Sequence, residues 1–190
     1  MKTGLFFGSF NPIHNGHIAI AGYMLEFTDL EVVWFVVSPH NPLKEQSELA
    51  PDHHRLEMVR LAIEEFQPQI SLCDIEMSLP RPSYTIDTLK VLKEKYPERD
   101  FTVLMGSDSM DCIEKWKDFS DLLHDNRIIV YPRPGSDIEA IKLNYNVEIV
   151  NSPLMEISST FIRIAVKAGK RAHYFMPPMA YKYLIDNNIY

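Results

Sequence analysis

Two apolar periods alternate along this chain, and that alternation most constrains what it can fold into. Short apolar or β-branched runs ("LFFG", "EVVWFVV", "QISLCDI", "FTVLMG", "RIIVYP", "VEIV") read as strands. Between and after them lie segments with helical spacing. "HNGHIAIAGYMLEFT" carries Ile18, Ala21 and Leu25, and "DHHRLEMVRLAIEEF" carries Leu56, Val59, Ala62, Ile63 and Phe66. "TIDTLKVLKEKY" shows Leu89 and Leu92, and "SSTFIRIAVKAG" and "PMAYKYLIDNN" follow late in the chain. Strands apolar on both sides, interleaved with helices, predict a parallel sheet covered on both faces. The expected fold class is α/β, a doubly wound, Rossmann-like parallel sheet with residues 1–190 as a single domain. Such sheets bind ligands beyond the carboxyl ends of their strands. The segments "SPHNPLKEQSELAP", "SLPRPS", "GSDSMDC" and "YPRPGSD" fall there, and loops of that length are uncommon unless they have a function.

Composition narrows the functional classes. A chain of 190 residues, 46% hydrophobic, can bury one substantial core. Its formal net charge of -7 argues against non-specific nucleic-acid binding, which needs a basic footprint. Cys73 and Cys112 make no disulfide framework and sit in no zinc spacing, so they are expected to be reduced. No signal-peptide pattern opens the chain, and no apolar run approaches the ~18 residues of a membrane span. A cytoplasmic chain with no membrane or nucleic-acid partner is the expectation.

"GSFNPIHNGH" places Gly8 and Ser9 behind the first strand, and His14 and His17 near the start of the first helix. Free N–H groups and the positive dipole end make a helix N-terminus an anion site. Histidines there add donors, and Gly16 between them lets a ligand approach the backbone. Taken alone, the spacing is equally compatible with two exposed imidazoles. Zinc is disfavoured, because no third ligand is nearby. In "ISSTFIR", Ser158 or Ser159 is a natural N-cap, and Arg163 lies one turn beyond Ser159 and Thr160. Hydroxyls, amides and a guanidinium on one helix end suit a polyphosphate, although a capped helix with a solvated arginine would look the same.

Together and in this order, the two motifs resemble those of the HxGH nucleotidyltransferases, a doubly wound family with a phosphate-binding HxGH loop and a late ISSTxxR helix. Within it the chain is most similar to the bacterial nicotinate-nucleotide adenylyltransferases, through "SPHNPLK", "PSYTIDTL", "GSDS", "KWKDF" and "YPRPG". Two positions depart from the usual pattern: Phe7 replaces a second glycine, and Asn11 stands where aspartate is frequent. The resemblance implies transfer of AMP from ATP to nicotinate mononucleotide, with magnesium entering alongside ATP. It implies catalytic roles for His14, His17 and Arg163. ATP binding extends to Gly8, Ser9, Phe10, Gly106, Asp108, Ser158, Ser159 and Thr160. For the mononucleotide it implies Lys44, Tyr84, Thr85, Asp108, Trp116 and Arg133.

Each residue on the mononucleotide side also has a plainer account. Lys44 and Arg133 are equally readable as solvated charges, Trp116 as core, and Asp108 as an N-cap for "SMDCIE". His53 and His54 read as surface residues, while Arg55 and Met58 fit either a pocket lining or ordinary packing. The amides of Tyr84, Thr85 and Ile86, in the first turn of a helix, favour an anion such as a pyridine carboxylate, with Ser83 a candidate to cap one of them. Two rival functions stand beside this one. A phosphopantetheine adenylyltransferase shares the loop but has no ring to stack on an aromatic, and a nucleotide-sensing protein would keep the pocket without turnover.

Overall fold

A computed structural model describes residues 1–39 and 49–190, so Lys44 and most of "SPHNPLKEQSELAP" lie outside the described residues. The predicted strands all form: β1 (Lys2–Gly8), β2 (Val32–Val37), β3 (Ile70–Cys73), β4 (Asp100–Gly106), β5 (Arg127–Tyr131) and β6 (Glu148–Ile149). They make one six-stranded sheet in the order β3-β2-β1-β4-β5-β6, and every adjacent pair is parallel. The order reverses between β1 and β4. A crevice opens there at the carboxyl ends, because the connections leave these two neighbouring strands towards opposite faces.

Side chains along each strand divide by parity. Phe6, Phe35, Leu104 and Ile129 enter one core cluster with Ile20 and Met24 of α1 (Asn15–Phe27), Met58 and Val59 of α2 (Asp52–Ile63) and Leu184 of α8 (Pro178–Asp186). Leu5, Val36, Val103, Val130 and Ile128 enter the other. There they meet Leu89 and Leu92 of α3 (Thr85–Lys95), Met110 of α4 (Ser107–Met110), Leu122 of α5 (Phe119–Asp125) and Ile141 of α6 (Ile138–Asn144). Alternate residues of one strand thus serve two cores, which is why the strands read as nearly continuous apolar runs. α7 (Ser159–Lys167) returns to the first face and buries Ile162. The seven-residue helices α5 and α6 were not anticipated, since two turns are too few to display a helical period.

The chain leaves β1 through a tight, crowded turn. Phe10 sits at φ +43°, a left-handed conformation that costs a non-glycine residue energy. What holds it there is its ring, buried against Phe6, Phe35 and His17 at centroid distances of 5.9, 5.0 and 5.0 Å. Gly8 is required by the same ring: a Cβ at that position would lie 2.9 Å from Phe10 Cζ.

Candidate active site

Two cavities open at the β1–β4 crevice and share a wall. The smaller, about 170 Å³, is lined by His14, His17, Ser159 and Arg133, with Gly8, Ser9 and Phe10 from the β1 turn. The larger, about 350 Å³, is lined by Tyr84, Thr85, Ile86 and Trp116, with Ser38 and Glu76. Phe7, Gly8, Ser9, Asp108 and Ser109 line both. Phe7, the first departure from the family pattern, therefore stands between the two spaces.

The histidine pair is built from the start of α1. His14 is its N-cap residue, in extended conformation, and its carbonyl accepts the N–H of His17 at 2.9 Å. The His14 N–H in turn donates to His17 Nδ1 at 3.1 Å. A neutral His17 ring that accepts at Nδ1 carries its proton on Nε2, so it offers a donor there. The two rings stack with centroids 3.6 Å apart. His14 is 3% exposed, and its Nδ1 has no hydrogen-bond partner among the described residues. Burial, and secondarily the nearby Arg133 charge, push its pKa down to about 3. Gly16 lines the smaller cavity, as close approach of a ligand requires, and it has a second reason. A Cβ there would lie 3.0 Å from His14 Nδ1, so the missing side chain makes room for the His14 ring.

The ISSTFIR segment closes over this loop. Ser158 is the cap of α7, its Oγ accepting the Phe161 N–H at 3.1 Å. Ser159 Oγ donates to the Pro12 carbonyl (2.8 Å), and Arg163 donates to the Asn11 carbonyl (3.0 Å) and to Thr160 Oγ1 (3.4 Å). Of this segment, Ser159 lines the smaller cavity and Arg163 holds the HxGH loop from outside that lining, whereas Ser158 caps α7 and Thr160 accepts from Arg163. Asn11, the second departure, is buried; its Oδ1 accepts from the Ala50 N–H (3.0 Å) and from the Tyr190 hydroxyl. The side-chain acceptor expected of asparagine is thus in use.

β4 and β5 complete the wall. A Cβ on Gly106 would strike Asp108 Oδ1 at 2.4 Å, so Gly106 acts by leaving space and lines neither cavity. Gly106 is also the cap position of α4, with no side-chain cap bond, so Asp108 is not an N-cap. Arg133 Nε lies 3.8 Å from Asp108 Oδ2, and Arg133 lines the smaller cavity with the histidines, away from Trp116. Tyr131 lines the same cavity; burial pushes its phenol up to about 12, which keeps it a neutral donor.

At the larger cavity, the start of α3 is bare. Among the described residues no side chain caps the helix, and the Tyr84 carbonyl takes the N–H groups of Asp87 and Thr88. The first-turn N–H groups of Thr85 and Ile86 stay outside the helix's own ladder. Ser83 does not cap them, contrary to expectation, because its Oγ donates to Glu76 Oε2 at 2.7 Å. Glu76, 2% exposed, also accepts from Thr88 Oγ1 at 2.8 Å. It was missed in the sequence, where the signal was an acid inside the apolar run "CDIEMSL".

Of its two readings, Arg55 falls on the packing side. It lines neither cavity but is wholly buried, with all five N–H donors matched. They go to the carbonyls of Ala50, Ser9, Ser38 and Pro39 and to Asp52 Oδ1. His54 is half-buried rather than a plain surface residue, with Nδ1 2.9 Å from the Tyr183 hydroxyl.

A doubly wound sheet with an imidazole pair at its switch point defines a nucleotidyltransferase architecture, and comparison with known proteins agrees. Residues 5–165 match the cytidylyltransferase-like family, and the chain belongs to it. Within that family its relatives are the nicotinate-nucleotide adenylyltransferases. A probable nicotinate-nucleotide adenylyltransferase of Bacteroides fragilis is 50% identical over 185 residues, covering 97% of this chain and 92% of the relative. One of Flavobacterium johnsoniae is 46% identical over 192 residues, covering 100% and 99%. The fold matches that of the Plasmodium falciparum nicotinic acid mononucleotide adenylyltransferase complexed with NaAD at a TM-score of 0.84 and 24% identity, covering 99% of this chain and 96% of that one.

Proposed function

We propose that this protein is a nicotinate-nucleotide adenylyltransferase, with residues 1–190 forming one catalytic domain. A phosphate oxygen of nicotinate mononucleotide attacks the α-phosphorus of ATP. The bond to the bridging oxygen breaks, and pyrophosphate leaves as nicotinate adenine dinucleotide forms. The observation that carries this reading is the shared wall. A cavity lined by imidazoles and an arginine meets, at Gly8–Ser9 and Asp108, a cavity lined by an indole and free helix amides. Two anionic substrates are thereby brought end to end.

The nucleophile is already a phosphate monoester with a second pKa near ~6, so no general base is required at neutral pH. Catalysis rests on alignment and on donors at the charge that develops in transfer. His17 Nε2 and the His14 imidazole are the donors we assign to the ATP phosphates. Arg163 and Ser159 hold the loop that carries the histidines, Thr160 accepts from Arg163, and Arg133 adds positive charge beside them. Trp116 stacks on the pyridine ring, the α3 amides receive its carboxylate, and Asp108 serves ribose hydroxyls at the junction. Among the described residues no group of three or more His, Cys, Asp or Glu side chains is placed to hold a metal ion. Imidazole, hydroxyl and amide donors suit phosphate oxygens, and Mg2+ enters with ATP, neutralising charge on its phosphates. We place the reaction in the cytoplasm; among the described residues no helix is long and apolar enough to cross a membrane.

The test is pyrophosphate release from ATP in the presence of nicotinate mononucleotide, with phosphopantetheine as the control acceptor. Release with the mononucleotide alone is expected. Release only with phosphopantetheine, or binding of ATP without release, would replace this reading with one of its rivals.

A further inference from the structure

We propose that Asp52 and Arg81 are positioning residues which, through Arg55, tie the segment leading into α3 to the HxGH loop and so set the affinity for the mononucleotide. The inference rests on the adenylyltransferase reading. Neither residue lines either of the two cavities described above.

The connection runs through one carboxylate. Arg55 holds the carbonyls of Ser9, behind β1, and of Ser38 and Pro39, behind β2. Its NH2 also donates to Asp52 Oδ1. The other oxygen of Asp52, Oδ2, accepts from Arg81 NH2 at 2.7 Å. Arg81 stands two residues before Ser83 and three before Tyr84, both of which line the larger cavity. The chain Ser9–Arg55–Asp52–Arg81 therefore joins the loop shared by both cavities to the segment that seats the pyridine ring. On its other side that segment is held by Glu76, which accepts from Ser83 and Thr88. Of these two tethers, the one through Arg81 is the one that reaches the phosphate loop.

An exposed ion pair is usually weak, because two long side chains must be ordered in high dielectric. Here one partner is already fixed. Asp52 is locked by a fully buried guanidinium, so only Arg81, 51% exposed, loses freedom on pairing. The consequence falls on geometry. Transfer requires the mononucleotide phosphate in line with the ATP α-phosphorus, and the distance between ring seat and phosphate loop is what this chain of bonds spans.

The experiment compares Arg81→Gln, Asp52→Asn, the double variant and Arg81→Lys with the parental protein. Dissociation constants for nicotinate mononucleotide come from tryptophan fluorescence, and KM for each substrate from pyrophosphate release. Arg81→Gln is expected to raise the mononucleotide Kd and KM roughly 3- to 5-fold, the upper end for an exposed pair, with KM for ATP and Tm unchanged. The double variant should bind the mononucleotide no more weakly than Asp52→Asn, since both changes cut one path. Arg81→Lys should recover part of the loss. Unchanged mononucleotide binding in Arg81→Gln, equal effects on both substrates, or additive losses in the double variant would overturn the proposal while leaving the activity intact. A parental protein that neither binds the mononucleotide nor releases pyrophosphate overturns both readings together.

Discussion

Burial, with Arg133 nearby, holds the His14 pKa at about 3, so the folded chain keeps this imidazole neutral while the unfolded chain protonates it near pH ~6.5. Between those values the unfolded state binds the extra proton, so stability falls as pH drops from ~6.5 towards ~3 and is independent of this group above that window. The slope from this one group is about 1.4 kcal/mol per pH unit. Thermal denaturation from pH 7 to pH 4 should show a steeper loss for the parental chain than for His14→Gln; parallel curves would mean that His14 is not buried in solution. His17 faces a different test, because its role lies in turnover. His17→Ala is expected to lose roughly 100- to 1000-fold in kcat with an unchanged circular dichroism spectrum. Near-parental turnover would remove its assigned role. Gly16→Ala adds a methyl 3.0 Å from His14 Nδ1, so the ring must move. Its kcat should fall without loss of fold, and rates equal to the parental would show that the ring position is immaterial. These residues were legible as a pair in "HNGH". The room that the glycine leaves for the His14 ring was not, because which atom fills the space beside it is a matter of packing.

At the scale of elements, α3 is the proposed determinant of substrate choice. Its uncapped N–H groups at Thr85 and Ile86 lie on the wall of the larger cavity, at the positive end of the helix. A pyridine carboxylate accepts from both, whereas a carboxamide presents its own NH2 to one of them. An unpaired buried donor costs about 1–3 kcal/mol, so kcat/KM should favour nicotinate mononucleotide over its amide by roughly one to two decades. Equal values for the two, measured under one set of conditions, would remove the carboxylate seat and leave the transferase reading standing. The helix was readable from "TIDTLKVLKEKY", since Leu89 and Leu92 mark its buried face. That Ser83 leaves those amides bare was not readable. Its hydroxyl is taken by Glu76, seven residues away, and local capping rules see only the nearest turn.

For the whole molecule, the two cavities make the reaction conditional on both substrates. Water in place of the mononucleotide would need a base to activate it, and among the described residues the imidazoles lining the smaller cavity are the two assigned to phosphate, while its carboxylate, Asp108, is the one assigned to ribose hydroxyls. ATP alone should therefore release pyrophosphate at about 1% or less of the complete reaction, on the scale a positioned base contributes. Appreciable release without an acceptor, followed in the same assay, would mean that water is activated at the site. The amino-acid sequence by itself determined the layers of this protein. Apolar runs such as "LFFG" and "RIIVYP" have to be covered on both faces, and the helical periods between them supply the cover, so strand number and a parallel sheet follow from patterning. It also determined the histidine pair and the late serine-rich helix, whose chemistry is carried by residue type and short spacing. Only the tertiary structure decided what joins these parts. Arg55 had the spacing of an ordinary helix residue, yet beyond the neighbouring Ala50 carbonyl it gathers those of Ser9, Ser38 and Pro39, which come near it in space only once the sheet has formed. Likewise Arg133 stands with the histidines and Glu76 anchors Ser83. A pattern along the chain records the period of burial. Which distant oxygen meets a buried donor is set when strands in the order β3-β2-β1-β4-β5-β6 bring their carboxyl-end loops together.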